Sequence, residues 1–229
     1  MKWTLKLGQV AGIGIFVHWT FLLLVGWILY SHLSEGDSIR AALEGVAFVL
    51  AVFACITLHE LGHAMTALQF GIRTRDITLL PIGGVARLER IPDKPLQEFL
   101  VAIAGPAVNV AIAAVLLVVV VTMAGLPQMS EVQTNGGGFL MRLLLVNIGL
   151  IVFNMIPAFP MDGGRVLRAL LSPVMGRLRA TDTAAAIGQI IAVVFVILGL
   201  FGNGMLMFIG LFIFLGARQE AQSVREASR

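Results

Sequence analysis

The chain has 229 residues, 58% of them hydrophobic and only 13% charged, whereas soluble domains carry about 25% charged residues. With a mean hydropathy of +0.93, this excludes a water-soluble globule, a disordered chain and a coiled coil, and leaves a polytopic membrane protein, since about 20 apolar residues cross a bilayer. Sixteen Lys and Arg against 13 Asp and Glu give a net charge of +3, and the single cysteine, Cys55, excludes an internal disulfide framework.

In chain order the apolar stretches predict six transmembrane helices: Phe16–Leu33, Ala41–Phe70, Leu96–Gly125, Phe139–Ile156, Thr183–Phe201 and Gly204–Ala217. The first follows Lys2 and Lys6 but lacks a small-residue cleavage site, so it reads as a retained helix rather than a signal peptide. The last two are joined by the turn Gly202-Asn203-Gly204. The loop 71–95 is longer than a helix connection needs. β-branched residues flank Pro81-Ile82-Gly83-Gly84, which predicts a short membrane-associated β-hairpin over Ile77–Glu89. The fold class is therefore an all-α polytopic membrane protein with six helices, one small hairpin and a broken fourth helix.

Lys and Arg concentrate on the cytoplasmic side of membrane proteins. One side of the six-span arrangement holds the termini and the loops 71–95 and 165–182, with 14 of the basic residues; the other has only Arg40 and Arg142. Both termini are thus expected in the cytoplasm, in a multi-pass protein of the inner (cytoplasmic) membrane, and the basic balance needs no nucleic acid. Residues 1–217 read as the membrane core and 218–229 as a polar cytoplasmic tail leading toward any further domain.

The second span contains His59-Glu60-Leu61-Gly62-His63. Residues i and i+4 share a helix face, so the two imidazoles converge. This is the HExxH pattern, in which two His bind Zn2+ and the Glu acts on the water at the metal. The competing explanation is a pair of packing histidines. It fares poorly, because three ionisable groups within five residues of a membrane helix are costly and require a shared partner. His63 lies seven residues before Phe70, which puts the site about 10–16 Å below the cytoplasmic surface.

A catalytic zinc takes three protein ligands. The third is sought among His18, His32 and Asp162. Asp162 follows Asn154-Met155-Ile156-Pro157-Ala158-Phe159-Pro160-Met161, where two prolines break the helix. Broken backbone at membrane depth is tolerated only where protein or a water-filled cavity receives it. Asp162 is favoured as ligand, with a helix N-cap role as the alternative. One carboxylate beside two neutral imidazoles also reduces the net charge to be buried. Asn154 and Asn109, the latter in Gly105-Pro106-Ala107-Val108-Asn109, are candidates for holding a substrate backbone or an oxyanion. For Asn109 an interhelical hydrogen bond is an equal alternative.

The three segments His59–His63, Gly105–Asn109 and Asn154–Arg165, in this order within six spans, resemble the site-2 proteases, the intramembrane zinc metalloproteases of peptidase family M50. The match is closest to their compact prokaryotic six-helix branch. The resemblance implies one Zn2+ per chain held by His59, His63 and Asp162, with Glu60 as general base and Asn154 orienting substrate. It also implies a single-pass transmembrane protein as substrate, of anti-sigma factor type. Members often carry a PDZ or CBS domain, and neither is legible here.

The expected function is hydrolysis of a peptide bond within a substrate's transmembrane segment in the lipid bilayer. A helical substrate hides its carbonyls, so it must be locally extended, and an extended strand in lipid needs hydrogen-bond partners. The hairpin edge supplies them by strand addition. Gly83 and Gly84 permit close backbone approach, and Val85 follows in the strand. Two rivals are a zinc transporter and an inactive protease-like scaffold. A transporter needs a relay of polar groups across the bilayer, and here they cluster near one side. Against the scaffold stands the intact Glu60.

Overall fold

The computed structural model describes residues 3–81, 83–90, 92, 94–124 and 138–227. The chain divides into two compact units, residues 1–91 with 107–150, and residues 92–106 with 151–229.

The first unit begins with strands β1 (Thr4–Val10) and β2 (Ile13–His18), followed by helices α1 (Thr20–Ser34) and α2 (Ile39–Gln69), then β3 (Thr74–Leu80) and β4 (Gly83–Leu88). It also takes the later part of α3 (Pro95–Ala124) and most of α4 (Phe139–Asn154). The strands form one sheet in the order β1-β2-β3-β4. Pairing is antiparallel, then parallel, then antiparallel, with Ile15 opposite Ile77 and Thr78 opposite Val85. The expected hairpin is present as β3 and β4. The all-α expectation is corrected, because the hairpin is half of a four-stranded mixed sheet completed by the N-terminus.

The same strands correct the first expected span. Phe16, Val17 and His18 lie in β2, and the helix begins only at Thr20. Ile13, Ile15 and Val17 alternate with Gly14 and Phe16, the period of a strand, and Ile13 and Val17 are buried. They pack with Phe21, Phe53, Ala64, Ile77 and Leu79, so the sheet lies against α1 and α2. Phe21 and Phe53 meet edge to face, ring centres 4.7 Å apart, the arrangement that aromatic quadrupoles favour. The Ser38 side chain caps α2 by accepting from the Ala41 amide at 3.2 Å.

In the second unit, α5 (Asp162–Met175), α6 (Arg177–Leu200) and α7 (Gly204–Ala227) follow the break after α4, as expected of an interrupted fourth helix. The break is tightly closed. A Cβ on Gly163 would run into the Ile156 carbonyl oxygen, and one on Gly164 would sit 2.6 Å from the Phe159 nitrogen. Arg168 is fully buried on α5. Its Nε donates to Glu98 Oε1 at 2.7 Å and its Nη1 to Glu220 Oε1 at 2.6 Å. Its guanidinium lies 4.9 Å from the Phe159 ring centre. One cation thus ties the first turn of α3, the break and α7 together. At Gly199 and Gly210, α6 and α7 approach so closely that a Cβ would meet Met207 or the Ala192 carbonyl, the small-residue packing of membrane helices. Helix α7 runs without a break past Ala217 to Ala227.

Among the described residues four helices are long and apolar enough to cross a membrane: Ile39–Gln69, Pro95–Met123, Arg177–Leu200 and Gly204–Glu226. The apolar helices Thr20–Ser34 and Phe139–Asn154 are shorter, at 15 and 16 residues. At ~1.5 Å per residue they fall short of a ~30 Å hydrocarbon core. Of the six expected spans, four are long helices of this kind and the other two correspond to these shorter apolar helices.

Candidate metal centre

Helix α2 presents His59 and His63 one turn apart, both buried. Their Nε2 atoms face each other at 3.1 Å. Two imidazoles on a tetrahedral zinc, with Zn–N near 2.05 Å, hold their nitrogens about 3.3 Å apart, so the pair is spaced for a shared cation. On the far side of the ring, His59 Nδ1 lies 2.9 Å from Asn109 Oδ1. A carboxamide oxygen only accepts, so Nδ1 carries the proton and Nε2 keeps its lone pair for a metal. The donor set fits zinc.

Glu60 lies beside the sheet. A Cβ on Gly84 would sit 2.9 Å from Glu60 Cγ and 3.0 Å from Ile56 Cγ2. Only a glycine lets β4 come this close to the HExxH turn. Gly83 has a φ of 138°, a conformation that strains any side chain. Val85 is exposed, while Ala86 packs toward the core of the unit. Strand β4 ends the sheet order, so among the described residues β3 is its one neighbour in the sheet.

Of the residues singled out in the sequence, the first unit brings together His59, Glu60, His63, Asn109, Gly83, Gly84 and Val85. Asp162 and Asn154 belong to the second unit. There Asp162 is buried as the first residue of α5, with Met161 at the N-cap position. Asn154 closes α4. The alternatives for the third ligand have local partners: His18 Nδ1 is 2.8 Å from Thr20 Oγ1, and His32 Nδ1 is 2.7 Å from Asp37 Oδ2. Sequence reasoning passed over Asn147, which is fully buried and accepts from Asn109 Nδ2 at 3.2 Å. An amide in the middle of a largely apolar helix was the signal.

The family model for peptidase family M50 matches residues 47–139 and 132–198. A solved structure of a site-2 protease from Methanocaldococcus jannaschii superposes with a TM-score of 0.68 at 37% identity, covering 96% of this chain and 95% of that one. A zinc metalloprotease of the same organism is 40% identical over 98% of this chain and 62% of its own length. Stage IV sporulation protein FB of Bacillus subtilis is 30% identical over 54% of this chain and 40% of its own length. The chain belongs to peptidase family M50, the site-2 protease class of membrane-embedded zinc metalloproteases. The name of the M. jannaschii metalloprotease specifies zinc, which the paired His59 and His63 donors of this chain fit. The chain spans about three fifths of the length of that metalloprotease.

Proposed function

We propose that this chain is the catalytic core of an intramembrane endopeptidase, with His59, His63 and Asp162 as the zinc ligands and Glu60 as the general base. The observation that carries this reading is the α2 site: two buried imidazoles with Nε2 atoms 3.1 Å apart, one with its tautomer fixed, beside a glutamate laid against a strand edge. Asp162 is supported by its burial at the start of α5, in a break held shut by Gly163 and Gly164. When bound, zinc lowers the pKa of a water toward ~7 and polarises the scissile carbonyl. Glu60 takes a proton from the attacking water and delivers it to the leaving amine. Its place beside Gly84 keeps that carboxylate next to any strand added along β4.

The substrate is a membrane protein whose transmembrane segment must unwind near the cut, because helical carbonyls are closed off. Strand β4 offers an open edge for main-chain pairing, with Gly83, Gly84 and Val85 along it and Asn154 as a further contact. Asn109 serves the metal site instead, since its Oδ1 and Nδ2 are engaged by His59 and Asn147. The excess of basic residues on one side of a six-span arrangement supports cytoplasmic termini in a protein of the inner membrane, and release of a cytoplasmic signal favours an anti-sigma factor as the substrate type. Metal analysis beside cleavage of a model transmembrane substrate, for the wild type and Glu60→Gln, tests this reading.

A further inference from the structure

The ring of His59 is held from behind by two amides in series, and their direction is fixed at the far end. A carboxamide has a donor end and an acceptor end of the same shape, so its orientation must be set by a partner with a single role. The Leu143 backbone carbonyl is such a partner, because it only accepts. Asn147 Nδ2 donates to it at 2.9 Å and also lies 3.5 Å from Cys55 Sγ. Asn147 Oδ1 is thereby turned toward Asn109, whose Nδ2 donates to it at 3.2 Å. Asn109 Oδ1 is then turned toward His59 Nδ1, 2.9 Å away. Both asparagines have 0% exposure, so water does not compete for either amide.

We propose that Asn147 on α4 is a positioning residue for the metal site, acting through Asn109 to hold His59 in the tautomer whose Nε2 lone pair faces the metal. This rests on the reading of His59 as a zinc ligand. Without Asn147, Asn109 is free to turn over and offer Nδ2 to the ring. His59 then places its lone pair on Nδ1 and its proton on Nε2, and the metal position loses a donor. Cys55 has a lesser part, since the Leu143 carbonyl alone orients Asn147.

The test is zinc affinity of the purified full chain, measured by competition with a chelator, in a double-mutant cycle. Asn147→Leu is expected to bind one zinc about 10–100-fold more weakly, the usual cost of losing an outer-shell partner. In an Asn109→Asp background the carboxylate accepts from Nδ1 whichever way it turns, so Asn147→Leu should there cost less than about threefold. A packing role for Asn147 would give equal losses in both backgrounds, and that result overturns the proposal, as does an unchanged affinity in Asn147→Leu. The second measurement needs no substitution. 15N spectra of histidine-labelled, zinc-loaded wild type should show His59 protonated at Nδ1 and metal-bound at Nε2. The opposite assignment overturns the proposal even if the variants fail to fold. A wild type that binds no zinc removes the ligand reading and this inference with it. One that binds zinc equally well with and without the Asn147 amide removes this inference alone.

Discussion

Gly84 on β4 and Glu60 on α2 are in contact so close that one added methyl would sit 2.9 Å from the Glu60 Cγ. The strand edge and the HExxH turn are therefore one piece of machinery. The same methyl would lie 3.0 Å from Ile56 Cγ2, so it would press on both side chains at once. Gly84→Val is expected to move Glu60 and lower the cleavage rate by at least about tenfold, since a misplaced catalytic group of about 1 Å costs that much or more. Zinc content should not change, because His59 and His63 are untouched. Rate and metal stoichiometry, measured together, check this.

The strand-addition account makes a backbone prediction. Pro removes an N–H that a ladder needs. Along β4, alternate amides point to β3 and to the open edge, so of Val85→Pro and Ala86→Pro one strikes the edge and the other the β3 ladder. Both should slow cleavage with zinc retained, whereas Val85→Ser should do less. Initial rates on a matched substrate pair, one with a helix-breaking residue near the cut, should favour the broken substrate. A rate unchanged by Pro would move substrate binding elsewhere, with Asn154 the next position to examine.

Asp162→Ala is expected to lower zinc content and abolish cleavage, because it removes the proposed third ligand. His18→Ala should do neither, since His18 is engaged with Thr20. Metal analysis of the two purified variants separates the assignments, and the reverse pattern would place the ligand at the end of β2.

Arg168 makes a stability prediction. It is fully buried and paired with Glu98, itself 4% exposed. Arg168→Leu would leave that carboxylate buried and unpaired, at a cost of about 3–5 kcal/mol. A lower midpoint of thermal unfolding in detergent is expected. Removing the buried carboxylate as well, with Arg168→Leu and Glu98→Leu together, should recover much of the loss, because the remaining Glu220 is partly exposed to solvent.

The site was more legible than the fold. His59, Glu60 and His63 stand out because ionisable groups in a membrane helix are few and costly, and their spacing alone puts both imidazoles on one face. The hairpin was legible from β-branched residues around a Pro/Gly turn. The N-terminal strands were not, because hydropathy is blind to period. Ile13–Val17 runs directly into the apolar α1, and a window that sums the two finds one long span. The alternation of Ile13, Ile15 and Val17 was the missed signal. Asn147 escaped notice for another reason. Its role depends on a partner on α3, and no spacing along the chain reveals that contact. Arg168 was counted as a cytoplasmic charge, whereas burial between two glutamates makes it a clamp.

The most direct measurement is Glu60→Gln, assayed for bound zinc and for cleavage of a model transmembrane substrate in the same preparation. Gln keeps the size of the side chain and its place beside Gly84, but it cannot accept a proton. The account predicts one zinc per chain, as in the wild type, and a cleavage rate reduced by at least about 100-fold, the usual contribution of a positioned general base. A Glu60→Gln protein that cleaves at the wild-type rate would contradict it.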